Sequence, residues 1–154
     1  RAAERAVLID RALDPRAVTA PEAGHLELGA LEYAAALVGY LAEAVWMPTT
    51  LLPSQGVSWA ALDDTSARAT LAAGGTTVSL DFHFGADGLV ERIYSPARGR
   101  DVKGTSVPTP WEGRWFEYAE RDGVRVPTRG EVAWILAAGR LPYWRGEITK
   151  VAYE

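Results

Sequence analysis

After Gly56 the chain is punctuated by Gly74-Gly75, Asp87-Gly88 and Asp122-Gly123, each set between stretches of alternating apolar and polar residues. Such pairs tolerate the left-handed backbone that a tight hairpin needs. Connections this short join antiparallel strands, because a parallel pair needs a crossover of about a dozen residues or more. Strands are predicted over 57–62, 67–72, 76–84, 89–94, 115–120, 124–127, 131–136 and 146–153. The sum is about seven or eight consecutive antiparallel strands. The cation-rich stretch holding Arg92, Arg98, Arg100 and Lys103 could meet a carboxylate or phosphate, but Gly99 and Gly104 make it read as a solvated, flexible loop.

The period-two pattern says which face is buried. Val78, Leu80, Phe82 and Phe84 point one way from the third strand, and Thr77, Ser79, Asp81 and His83 the other. Ala67, Ala69 and Leu71 form a small inward set in the strand before it, and Val132, Trp134 and Leu136 share a face further on.

Ahead of the strands, 27–47 carries helical spacing. Leu28, Leu31, Ala35, Val38, Ala42 and Val45 form one apolar stripe, with Tyr33, Leu37, Tyr40, Ala44 and Met47 beside it. A helix so apolar should be covered on most sides, and Pro48 should end it. The expected fold is therefore α+β: a strongly curved antiparallel half-barrel wrapped on one long apolar helix. It is expected as a single domain over 1–154, with an N-terminal helix and loop (1–26), the core helix and its connection (27–55) and the sheet (56–154). The N-terminal helix is placed at 2–13, followed by a loop through Pro15 and Pro21 to Gly24. Because Arg1 opens the sequence, an N-terminal portion is expected to be missing.

Composition removes whole classes of chemistry. With no cysteine there is no disulfide, thiolate nucleophile or cysteine-held metal, and the two histidines, His25 and His83, are poor material for a metal site. A net charge of −4 argues against a nucleic-acid partner. Hydrophobic residues at 48% and charged residues at 23% are the balance of an ordinary globular domain, and no uninterrupted apolar run is long enough to span a bilayer. No metal, cofactor or catalytic residue is assigned. Oligomeric state stays open, as does the compartment, cytoplasmic or membrane-associated and extracytoplasmic.

Among the titratable groups, Glu43 is the lone charge across 33–62. A carboxylate in apolar surroundings has a raised pKa and could act as an acid or meet a cationic group. Its plainer reading is a place on the helix's polar line, in water or beside an arginine of the sheet. His83 shares a strand face with Asp81, yet nothing in the sequence nominates a nucleophile for such a pair. Asp63-Asp64-Thr65 lacks the spaced oxygen ligands of a calcium loop and reads as a turn. Six tryptophans, at 46, 59, 111, 115, 134 and 144, either line an apolar cavity or fill the core.

Three stretches belong together: Tyr40-Leu41-Ala42-Glu43-Ala44-Val45-Trp46-Met47-Pro48 running on to Leu51-Leu52-Pro53; Trp59 with Asp63-Asp64-Thr65-Ser66-Ala67; and Asp122-Gly123-Val124-Arg125-Val126-Pro127 with Glu131-Val132-Ala133-Trp134 and Tyr143-Trp144-Arg145-Gly146. In these the chain resembles an uncharacterised bacterial family of actinobacterial type, over about 28–153. The resemblance implies no known activity; members of that type look longer at the N-terminus, with extra strands and sometimes a membrane anchor. The architecture is similar to the lipoprotein-carrier and lipoprotein-receptor half-barrels of the LolA/LolB type, which hold acyl chains between sheet and helices. That likeness implies non-enzymatic binding of a lipid or acyl chain between concave sheet and helix, lined by Tyr40, Trp46, Trp59, Phe82, Phe84 and Trp134 with Glu43 at the mouth. The alternatives are a structural or interaction domain with a self-filled core, and an enzyme using Glu43 as acid or base with Asp64 or His83 in support.

Overall fold

The turns dictate a meander, and the computed structural model, which describes residues 26–151, is one. Strands β1 (Val57–Asp63), β2 (Ser66–Ala73), β3 (Thr76–Phe84), β4 (Val90–Val102), β5 (Thr105–Arg121), β6 (Val124–Leu136) and β7 (Gly139–Glu147) follow one another in space as in sequence. Every neighbouring pair is antiparallel. The sheet is not closed, and β1 and β7 are its two edges. The expected helix over 2–13 and its loop lie outside the described residues; the last strand runs over 139–147 rather than the expected 146–153, and residues 148–151 are not strand.

Turn chemistry explains the hairpins. Gly74 and Gly75 both have positive φ, as a two-residue turn of the type I′ class requires. Asp122-Gly123 and Lys103-Gly104 repeat that pattern. The second of these overturns the loop expected around Arg92–Lys103. That stretch is most of β4, paired with β5 from Arg92 opposite Arg114 to Val102 opposite Thr105. Pro96 and Ala97 are absorbed by a register shift between Ser95 and Arg98. A bulge thus accommodates the prolines and glycines that otherwise read as strand breakers. Likewise the strands expected at 124–127 and 131–136 are one strand, β6.

Among the described residues one α-helix, α1 (Leu26–Glu43), precedes the sheet. It is 18 residues long and stops four residues before Met47, which corrects the expected long helix. Ala44–Trp46 and Pro48–Leu51 continue as 3-10 turns, with Met47 between them at φ −133°. The proline accounts for Met47, since it disfavours helical geometry in the residue before it, but not for the earlier change at Ala44. Nor is the helix covered on most sides: Tyr33, Leu37, Tyr40 and Leu41 are buried, whereas Leu31 is 54% exposed and Ala35 and Ala36 face solvent. Of the two expected stripes, the one through Tyr33, Leu37, Tyr40 and Ala44 faces the core, joined near the helix end by Ala42 and Val45 of the other.

The inward alternation read from β3 holds. Ala69 lies opposite Leu80, Leu71 opposite Val78, and Phe82 opposite Ile93. All six are buried, in one cluster with Leu37 and Leu41 of α1. That cluster runs on to Trp111 and Trp115 in β5. There the packing changes kind. Trp115 lies opposite Gly130, and Gly130 opposite Gly146. A Cβ at Gly130 would run into the Trp115 ring, and one at Gly146 into the Trp144 ring. The glycines are absent side chains that let indoles lie flat on the sheet.

This contact predicts that Gly130→Ala overpacks the site and costs about 1–3 kcal/mol. In urea denaturation the midpoint should fall with the slope unchanged, accompanied by altered tryptophan emission.

Candidate binding site

The expected lining residues fall into two groups. Tyr40 on α1, Trp59 on β1 and Phe82 and Phe84 on β3 belong to the first half of the molecule, where the helix lies over the sheet. Phe82 is completely buried, and Trp59 meets it edge-on with ring centres 5.2 Å apart. The Trp59 indole N–H donates to the carbonyl of Leu51 at 2.9 Å, fixing the connection to the helix. Phe84, half-buried, lies at the end of β3 beside an open recess of about 500 Å³. That recess is formed by the β1–β2 and β3–β4 turns, including Asp64, Thr65 and Gly85. Asp63 accepts from the Thr65 backbone N–H at 2.8 Å, the turn expected there.

Glu43, Trp46 and Trp134 belong to the other half, where the helix has ended. The 3-10 turn carries Trp46 over the far strands, where its indole N–H donates to the carbonyl of Pro127 at 3.0 Å. Its ring stands edge-on to Trp115, with centres 4.6 Å apart, and to Trp144 at 6.2 Å. Next to this cluster, Trp111 donates its indole N–H to the Tyr143 hydroxyl at 2.9 Å. Tyr143 in turn stacks on Trp134, 5.4 Å apart and 17° from parallel. The Arg98 guanidinium lies 4.5 Å above the Trp111 ring. Five elements thus converge: α1 through Glu43, β4 through Arg98, β5 through Trp111, β6 through Trp134 and β7 through Tyr143.

The electrostatics follow from burial. Burial raises the Glu43 pKa, and the positive charge of Arg98 offsets only part of that rise. Burial also lowers the Arg98 pKa, against the pull of Tyr143 and Glu43. Among the described residues Arg98 takes part in no ion pair. A cation resting on an indole face and unmatched by a contacting carboxylate is suited to an anionic or strongly dipolar group. Around it the surface stays apolar and open, with Tyr143 49% and Trp144 39% exposed.

His83 and Asp64 are not brought to Glu43. His83 shares the opposite face of the sheet with Arg92, whose guanidinium lies 2.9 Å from Nε2. Burial and Arg92 together lower its pKa. Asp81 is taken by Arg68 in a two-pronged pair at 2.6 and 3.0 Å. Among the described residues no three potential metal ligands come together.

That outer face also holds what the sequence reading missed. Glu112 is buried and pairs with Arg114 at 2.9 Å, with Arg92 at 3.7 Å and with Arg140. Glu131 bonds Arg140 and Arg145, which hold its carboxyl below the usual range. The signal was available in Trp111-Glu112-Gly113-Arg114-Trp115, a period-two alternation of aromatic or small residues with charges.

Residues 30–153 match the sequence profile of a family of unknown function, DUF6920. The chain belongs to that family. No curated protein and no solved structure matches it. The DUF6920 match takes in all seven strands and every residue of the Glu43–Arg98–aromatic cluster. No helix among the described residues is long and apolar enough to cross a membrane.

The raised pKa of Glu43 has a definite sign in stability. The folded state holds this proton more tightly than the unfolded chain, so stability falls as pH rises from the ordinary carboxylate value to the raised one. Above that window the penalty is fully present. Glu43→Gln should therefore be more stable than the parent at neutral pH, with the advantage shrinking on acidification. Urea titrations at a series of pH values measure the difference; an advantage that grew in acid would contradict burial as the dominant cause.

Proposed function

We propose that this domain is a non-enzymatic binding protein for an amphipathic lipid or acyl chain, held on the helix-bearing face where α1 has ended. The apolar part of the ligand lies along Trp134, Tyr143 and Trp144, and its polar end meets Arg98 beside Glu43. The observation that carries this reading is the open aromatic surface with an unmatched arginine set on Trp111. Of the lining expected from the sequence, Glu43, Trp46 and Trp134 stay in the proposal. Phe82 serves it from below, as core. The sheet's half-barrel curl, the likeness to LolA/LolB-type carriers and the bacterial, actinobacterial-type origin belong to the same proposal.

One observation favours a second reading. The space between α1 and β2–β4 is filled by the protein's own side chains, with Leu41, Ala69 and Phe82 completely buried. A structural or interaction domain with a self-filled core needs nothing more.

The two readings part on a direct measurement. Organic extracts of protein purified without detergent are analysed by mass spectrometry, and a long-chain fatty acid is titrated while tryptophan emission is followed. Binding should be saturable, and Trp134→Ala should weaken it about tenfold, a loss of about 1.4 kcal/mol. Phe82→Ala should cost about 3–5 kcal/mol of stability yet leave affinity within a few-fold. An empty extract together with no saturable titration would overturn the binding reading in favour of the self-filled domain.

A further inference from the structure

An open seven-stranded sheet has two edges, and here they are built differently. Exposed edges invite pairing with other chains, and proteins blunt them with proline, bulges and charge. Strand β7 carries all three. Pro142 lies within it, its pairing with β6 shifts register between Val132 and Ala133, and Arg140 and Arg145 are tied to Glu131.

Strand β1 carries none of them along its central run. From 58 to 62 it reads Ser-Trp-Ala-Ala-Leu, without charge, proline or glycine. Its pairing with β2 is regular from Val57 to Ala61, and the shift and the first charge come only at Asp63. Val57 is buried, while every residue from Ser58 to Asp63 is exposed. Among the described residues α1 packs over β2, β3 and β4, while β1 meets the Pro53–Gln55 turn and, through Trp59, the Leu51 carbonyl, and pairs with no strand on its outer side.

We propose that β1 is a self-pairing edge: two copies of this chain join through antiparallel β1 strands about a two-fold axis at Ala60, making one continuous sheet. The strand is complementary to itself in that register. Within the regular run Ala60 faces Ala60 and each Trp59 faces the small Ala61 of the other copy, and with no charge from Val57 to Leu62 neither Asp63 meets another acid. Large side chains meet small ones, and no like charges oppose. A slip of one residue turns the second copy's helix to the opposite face of the sheet. Main-chain hydrogen bonds supply the affinity and this side-chain pattern the register. The carrier reading above is independent of this pairing, since the aromatic surface is at the far side of the sheet.

The absence of cysteine makes the test clean, because any disulfide formed must join introduced positions. Light scattering during gel filtration should report a dimer for the full chain. Under mild oxidation Ala60→Cys should cross-link, whereas Leu62→Cys should not, its two copies being separated by about four residues of strand, roughly 13 Å. Ala60→Lys sets two ammonium groups at the axis on an exposed position and should give a folded monomer with unchanged circular dichroism. A monomeric parent at its highest soluble concentration would overturn the proposal. So would a dimer that survives Ala60→Lys, or cross-linking as efficient at 62 as at 60.

Discussion

Trp46 joins two halves of the domain that are packed by different means. On one side α1 covers β2–β4 with ordinary aliphatic burial around Leu37, Leu41, Leu80 and Phe82. On the other, indoles lie on glycines across β5–β7. The Trp46 ring closes the second cluster edge-on, and its N–H satisfies the Pro127 carbonyl. Both contacts need the chain to leave the α-helical path just before Trp46. The switch to a 3-10 turn at Ala44 is therefore a condition of the fold. It also leaves Glu43 at the end of the helix, beside Arg98, where its carboxylate is partly withdrawn from water.

Among the described residues one α-helix packs on the sheet, and it covers one face, so the outer face needs another solution. The structure uses arginine and glutamate. Opposed charges in neighbouring strands pair across the sheet, as with Arg68 opposite Asp81 and Glu131 opposite Arg145. Arginine stems are apolar enough to shield what lies beneath them, and Glu112 and Ala133 are buried although no second layer of secondary structure is described there. Exposed pairs of this kind contribute little each, but around the buried Glu112 three guanidinium groups share one carboxylate, so leaving it unpaired would be costly.

Much of this was legible in the residues, for reasons that can be named. Gly74-Gly75 and Asp122-Gly123 require the turns they make, and the alternation Val78-Ser79-Leu80-Asp81-Phe82 fixes the buried face of β3 without knowledge of its neighbours. The hairpin of β4 and β5 was illegible because Pro96, Gly99, Pro108 and Pro110 are local strand breakers that only the pairing partner and a bulge reconcile. The end of α1 was misplaced because Ala44, Val45 and Trp46 are acceptable in a helix; a contact 81 residues away decides otherwise. At the candidate site, Glu43 and Arg98 could each be singled out as unusual. That Arg98 would rest on Trp111, and Trp111 bond Tyr143, depended on a register the turns alone do not set.

The simple strand order has a consequence for how the molecule folds. In a meander each strand pairs with the one just made, so every hairpin closes a short loop and sheet growth can proceed from either end at small entropic cost. All-β proteins are usually slowed by distant strand pairings, and this sheet has none. The expensive closures lie outside the ladder, where Trp46 meets Pro127 across 81 residues and reaches Trp144 further on. The topology thus places the large loop closures in the docking of the helix and its turn, and the small ones in the pairing of the strands.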